Sequence, residues 1–253
     1  MSTHIAIVAS LGLALFLSPE TFVLGFVIAS DRKAPKRAAW AYAAGGVLGI
    51  LFSFGIGMLL ATETSLGTGG AAVTGDHAWR KFVVHAVLAT VLLVIGTRRA
   101  IGALTQEPIA EPEQEKRTSR LWASFRSRFP SFAHLVDPAS DLPMNEIALR
   151  GALAGFAVCG LHPKIFPVAI AAGHQIEDMS AHIRPLGALV FILLGAGATF
   201  VPAILETLRP GSAGTAKETI ERLMKVYGRT AIALLLIGVG LHMARRAWEL
   251  YPG

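Results

Sequence analysis

The sequence predicts an all-α polytopic membrane protein with six transmembrane helices, arranged as a 3+3 inverted repeat with two proline-broken helices. Three observations predict this. Of 253 residues, 53% are apolar and only 16% charged, and the mean hydropathy of +0.55 is too high for a soluble domain of this size. Six windows approach the roughly 20 mostly apolar residues that a membrane span requires. Two of those windows carry breaks that superimpose 144 residues apart, Ser18-Pro19-Glu20-Thr21-Phe22 and His162-Pro163-Lys164-Ile165-Phe166.

The first window, 5–29, is not a cleaved signal peptide. It lacks a basic leading segment, runs too long, and holds Pro19-Glu20 in its middle. Windows 38–60 and 82–104 complete a first three-helix repeat over 1–104. The connecting segment 105–146 begins with the acidic stretch Glu107–Glu115, which contains Pro108 and Pro112 and reads as an extended linker. Beyond it, Leu121, Trp122, Phe125, Phe129 and Phe132 recur at helical intervals among arginines. That pattern fits a cytoplasmic amphipathic helix on an anionic leaflet, or equally a loop folded against the bundle. Windows 147–175, 185–206 and 226–248 form the second repeat, over 147–253. Adding 144 to the second and third windows gives the fifth and sixth, and places Gly96 on Gly240. Three spans per half is an odd number, so the second half enters from the opposite side, as in many secondary transporters.

The net charge of +6 follows the same plan. Alternating the sides puts seventeen basic residues, among them Arg32, Lys33, Arg98 and Arg99, on one side and five on the other. The positive-inside rule then places both termini outside the cytoplasm. The basic excess therefore reads as topology, with the lipid bilayer as partner and no nucleic acid. Trp40, Tyr42, Trp79, Tyr227, Trp248 and Tyr251 fall near span ends, where amphipathic rings favour the interface. The lone Cys159 excludes a disulfide framework.

The breaks carry the chemistry. A proline removes a backbone donor and obstructs the preceding turn, which hydrocarbon tolerates only under protein cover or beside a wet cavity. Glu20 at one break and Lys164 at the other are ionisable groups of opposite sign where a membrane is thickest, and such groups mark functional sites. Ser18, Pro19, Glu20, His162, Pro163 and Lys164 are the expected substrate- or ion-binding residues, with Glu20 and Lys164 meeting at the centre. Pro167 is expected to broaden the second break, and Pro202 to add a kink. Glycines 45, 46, 49, 55, 57, 195 and 197 are expected to permit close helix approach. No phosphate loop, nucleophile elbow or spaced metal box occurs, so neither an enzyme nor a cofactor is expected. One alternative is a divalent cation exporter using Glu20, His85 and His162.

At these motifs the chain resembles the LysE-type exporter superfamily, closest to its glycopeptidolipid- or sulfolipid-1-addressing (GAP) branch. The resemblance rests on Leu17-Ser18-Pro19-Glu20, on Asp31-Arg32-Lys33-Ala34-Pro35 and on Leu161-His162-Pro163-Lys164, with His162 where the superfamily commonly has asparagine. It implies an exporter of the bacterial inner (plasma) membrane with paired broken helices, but no particular cargo. The expected function is export of a small solute or envelope lipid by alternating access. A homo-oligomer, and a non-transporting lipid-addressing assembly factor acting through 105–146, remain open.

Overall fold

A computed structural model of the chain describes residues 2–31, 33–65, 75–105, 143–162, 165–211 and 227–251, and between the last two ranges only positions 219 and 223. The expected amphipathic helix of the connecting segment lies outside the described residues. Among those described, the chain is all-helical, with no strand. In order the helices are α1 (Ser2–Phe16), α2 (Pro19–Ala29), α3 (Pro35–Ser65) and α4 (Gly75–Leu104). Then come α5 (Met144–Phe156), continued by a π-helical turn (Ala157–Leu161), α6 (Ile165–Glu177), α7 (Arg184–Leu208) and α8 (Arg229–Glu249).

Among the described residues, five helical stretches are long and apolar enough to cross a membrane: Pro35–Thr62, Phe82–Ala103, Met144–Leu161, Arg184–Leu208 and Thr230–Glu249. A sixth is α1 with α2, taken as one span bent by 46°. Each predicted window overlaps one of these. The window 147–175 divides, because Met144–Leu161 is long enough by itself and α6 follows only after the break.

Local chemistry sets the helix starts. Asp31 Oδ1 accepts the backbone N–H of Lys33 at 2.9 Å and of Ala34 at 3.2 Å, shaping the turn into α3. Pro35 then opens α3, and Pro185 sits in the first turn of α7, where a missing N–H has no intrahelical partner to lose. The same reasoning corrects the expectation for Pro167. It lies in the first turn of α6 and does not widen the break. The widening lies upstream instead, in the π-helical turn before His162. Pro202 is carried inside a continuous α7.

The helices pack in three sets, and the pairs of touching residues give their directions. A Cβ on Gly12 would meet Leu194, one on Gly197 would meet the Phe16 ring, and one on Gly25 would meet Pro202, so α1 and α2 run parallel to α7. Gly151 faces Ala38, Gly155 faces Tyr42, Gly49 faces Gly160 and Gly173 faces Gly57, so α5 and α6 run parallel to α3. Gly96 receives Ile237, Gly240 receives Leu93, and Phe82 meets Tyr251 edge-to-face with ring centres 5.4 Å apart, so α4 and α8 are antiparallel. The main core joins residues of α1, α3, α4, α6, α7 and α8, including Leu11, Ile50, Leu92, Ile176, Phe191 and Met243, all essentially inaccessible. Of the expected packing glycines, Gly55 has nothing within 4 Å of where its Cβ would stand, and Gly195 meets only ordinary contacts.

Candidate functional site

Both breaks occur where a residue precedes proline, a position that steric conflict with the ring drives to extended backbone. Ser18 has φ −67 and ψ 113, and His162 has φ −69 and ψ 128. The two positions 144 residues apart therefore share one conformation. At each, the chain restarts a helix. The N–H groups of Ile165 and Phe166 both point to the His162 carbonyl, at 2.9 and 3.3 Å.

At the first break, Pro19 opens α2 and Glu20 lies in its first turn. There the unpaired N–H groups and the helix dipole favour a carboxylate. Ser18 Oγ donates to Glu20 Oε2 at 2.7 Å, and Arg99 Nη2 stands 3.8 Å from Glu20 Oε1. The Glu20 side chain is 36% exposed and that of Arg99 17%. A separation of 3.8 Å is an electrostatic pairing, not a tight hydrogen bond. Phe16 and Phe22 close the hinge edge-to-face, with centroids 5.6 Å apart. From α3, the fully buried Tyr42 donates its hydroxyl to the Thr21 carbonyl at 2.7 Å.

The second break is braced by α3 as well. Ser53, inaccessible to solvent, donates to its own helix at the Gly49 carbonyl, 2.7 Å away. The same Oγ stands 3.2 and 3.4 Å from the carbonyl oxygens of Cys159 and Gly160. Those carbonyls precede the proline, where the regular helical ladder is lost. A hydroxyl from a neighbouring helix can answer such carbonyls inside a membrane, but its one hydrogen serves one of these three oxygens at a time.

Among the residues expected from sequence, the structure thus brings together Ser18, Pro19 and Glu20, and places His162 at the matching break. Pro163 and Lys164 lie outside the described residues, and so does the expected meeting of Glu20 with Lys164. Arg99 joins this site, although the sequence reading counts it only among the basic residues of one side. The signal was available: Arg98 and Arg99 fall inside the apolar window 82–104, and an intramembrane arginine calls for a carboxylate. Ser53 and Tyr42 carried no such signal, because only packing shows which carbonyls they reach.

The alternative metal set is not assembled. His85 faces His174, with ring centroids 6.0 Å apart, and fourteen residues of α4 separate it from Arg99, about 21 Å of helix rise. Among the described residues, no group of three or more His, Cys, Asp or Glu gathers where it would hold a metal ion. Among the described residues the chain is, by class, all-helical, with five helices long and apolar enough to span a membrane, or six if the bent α1–α2 pair is one span. No protein-family model, curated protein or solved structure matches it.

Proposed function

We propose that this chain is a membrane transporter that exports a small solute or envelope lipid by alternating access, in the manner of LysE-type exporters. The observation that carries the proposal is Glu20, in the first turn of a helix restarted at a break, hydrogen-bonded to Ser18 and loosely paired with Arg99. Such an arrangement is costly within a bilayer and does little for stability: an ion pair at 3.8 Å on a partly open carboxylate is worth ~1 kcal/mol or less. It does offer a charge that a cargo cation or a proton can take from Arg99, and a guanidinium that a cargo anion can take from Glu20.

An inverted 3+3 repeat belongs to the same proposal. Three features support it: the shared conformation of Ser18 and His162, the reciprocal contacts of Gly96 with Ile237 and Gly240 with Leu93, and the matched partnering of α1–α2 with α7 and of α5–α6 with α3. In the reciprocal pair each contact becomes the other when its residues are exchanged by 144 positions, as an internal two-fold axis would require. In this scheme Lys164 occupies the place symmetric to Glu20. The charge asymmetry puts the ends carrying Ala29 and Leu104 on the cytoplasmic side.

Glu20→Gln keeps shape while removing charge, and Arg99→Gln removes the guanidinium and its charge while leaving a polar end. In proteoliposomes offered basic and acidic amino acids and a fluorescent phospholipid, each variant is expected to lose at least ten-fold of the transport rate while eluting as the wild type. Full transport by both overturns the assignment.

A further inference from the structure

Close packing divides the described helices into two bodies. Glycines interlock α1, α2, α3, α5, α6 and α7: Gly12 and Gly197 join α1 to α7, Gly46 joins α3 to Thr199 of α7, and Gly57 and Gly173 join α3 to α6. The glycines of α4 and α8 that meet a neighbour meet only each other's helix, Gly96 at Ile237 and Gly240 at Leu93. Among the described residues, no glycine brings the α4–α8 pair onto the other six helices. The pair joins them through side chains, apolar in the core at Leu88, Leu92, Leu236 and Met243, and polar toward the ends.

Where α1 begins and α6 and α8 finish, one such side chain is His4. Its Nδ1 lies 3.3 Å from Gln175 Oε1, and its Nε2 lies 3.3 Å from Arg246 Nη2. The partners fix the protons. A guanidinium only donates, so Nε2 is bare and accepts. Nδ1 then carries the one ring hydrogen and donates to Gln175 Oε1. The amide of Gln175, a fully buried residue, is turned away and has no partner among the described residues. His4 is thus neutral, and it holds α6 by donating and α8 by accepting.

Acid acts on these two bonds oppositely. Imidazole is the side chain whose ordinary titration falls between about pH 5 and 8. The added proton goes to Nε2, the atom that Arg246 addresses, and leaves two donors of like charge facing each other. The bond from Nδ1 to Gln175 keeps its hydrogen. Surrounding groups do not offset the new charge. On α6, Glu177 is paired with Arg184 at 3.0 Å, Asp178 is exposed one turn beyond His174, and His174 faces His85 of α4 with ring centroids 6.0 Å apart. On α8, Glu249 is paired with Arg245 at 3.2 Å, and His242 lies one turn before Arg246. His182 is exposed in the turn between α6 and α7. A proton on any of these histidines adds to the same positive charge.

We propose that His4 is an acid-released latch. It ties α8 to the six-helix body while neutral, and its protonation frees this end of the α4–α8 pair while α1 stays bound to α6. Protonation of histidines at a contact between packed elements is a known way to switch that contact. Helix α1 places about 20 Å between His4 and the first break, and the latch does not depend on the transport reading, because its test reads distances and not export.

The test uses the full chain in phosphatidylcholine nanodiscs, with Cys159→Ala removing the native thiol and nitroxide labels on cysteines placed at exposed positions. One pair is Ala6 on α1 with Trp248 on α8, the other Ala6 with Ala181 in the α6–α7 turn. The pH is lowered from about 8 to about 5.5, a range in which histidines titrate and ordinary carboxylates stay ionised. Electron–electron distance measurements are expected to show the α1–α8 distribution shifting to longer values, with the α1–α6 side unchanged. His4→Gln takes no proton yet keeps an oxygen that can accept from Arg246, and it is expected to abolish the shift. Arg246→Gln, which removes the facing charge, is expected to do the same. The proposal is overturned if the α1–α8 distance does not respond to acid, if both distances lengthen together, or if His4→Gln responds as its parent does. Should a variant fail to fold, the two distances in the parent decide alone.

Discussion

The two broken helices begin alike and are held differently. Ser18 and His162 have nearly the same backbone angles, yet the partners that seat each broken helix are of different kinds. The first helix rests on α7 through side chains: Leu194 against Gly12, the Phe16 ring against Gly197, Pro202 against Gly25. The second rests on α3 through bare backbone. A Cβ on Gly45 would enter the Ala152 carbonyl, one on Gly155 the Tyr42 carbonyl, one on Gly49 the amide of Gly160 at 2.7 Å, and one on Gly57 the Ala169 carbonyl at 2.7 Å. Gly45, Gly49, Ser53 and Gly57 form a small-residue ridge at four-residue spacing along α3, and close backbone approach of this kind is the usual basis of tight helix association in membranes. The Phe16 ring over Gly197 can tilt; a carbonyl pressed on a glycine cannot. The comparison teaches that the second break is seated on backbone, and the first, which carries Glu20, on side chains of α7 and on Tyr42 of α3.

The largest expected effect separates these two interfaces. Gly155→Ala is expected to destabilise at or beyond the upper end of the ~1–3 kcal/mol typical of overpacking, because its methyl has only the backbone of Tyr42 and Gly46 to displace. Thermal unfolding in detergent should show a Tm drop of several degrees and loss of the monodisperse peak. Gly197→Ala adds the same methyl at 3.0 Å from the Phe16 ring, which can tilt, and should cost less than about 1 kcal/mol. Equal losses in the two variants would break the comparison.

Smaller effects sharpen it. Tyr42→Phe removes the hydroxyl on the Thr21 carbonyl and is expected to lower stability by about 0.6–1 kcal/mol, the usual range for hydrogen bonds between membrane helices. The same variant should loosen α2 and leave α5 seated, which hydrogen exchange on the two segments would register. Gly55→Ala, with nothing within 4 Å, is the smallest. It should leave Tm unchanged or raise it slightly, since alanine is the better helix residue by up to about 1 kcal/mol.

Much of this architecture was legible without coordinates. Runs of apolar residues are read by composition alone, so helices form where windows 5–29, 38–60, 82–104, 185–206 and 226–248 had placed them. Pre-proline sterics act between neighbours in the chain, so Pro19 marked the first break at the residue where it occurs. Pro167 misled because a proline breaks a helix only past the first turn, and where that turn begins depends on the break before it. The glycines were legible as a class but not one by one: Gly49 and Gly55 look equivalent in the sequence, and only one faces a neighbour.

Hydropathy and local stereochemistry, both properties of short stretches of chain, determined which segments are helical and apolar enough to span a membrane and where the first one bends. Which charge stands beside Glu20, which serine reaches the carbonyls of Cys159 and Gly160, and which glutamine is left with an unanswered amide were decided only in three dimensions. Each depends on the rotation and depth of a helix far away in sequence, and those are set by how surfaces fit rather than by what any segment prefers alone.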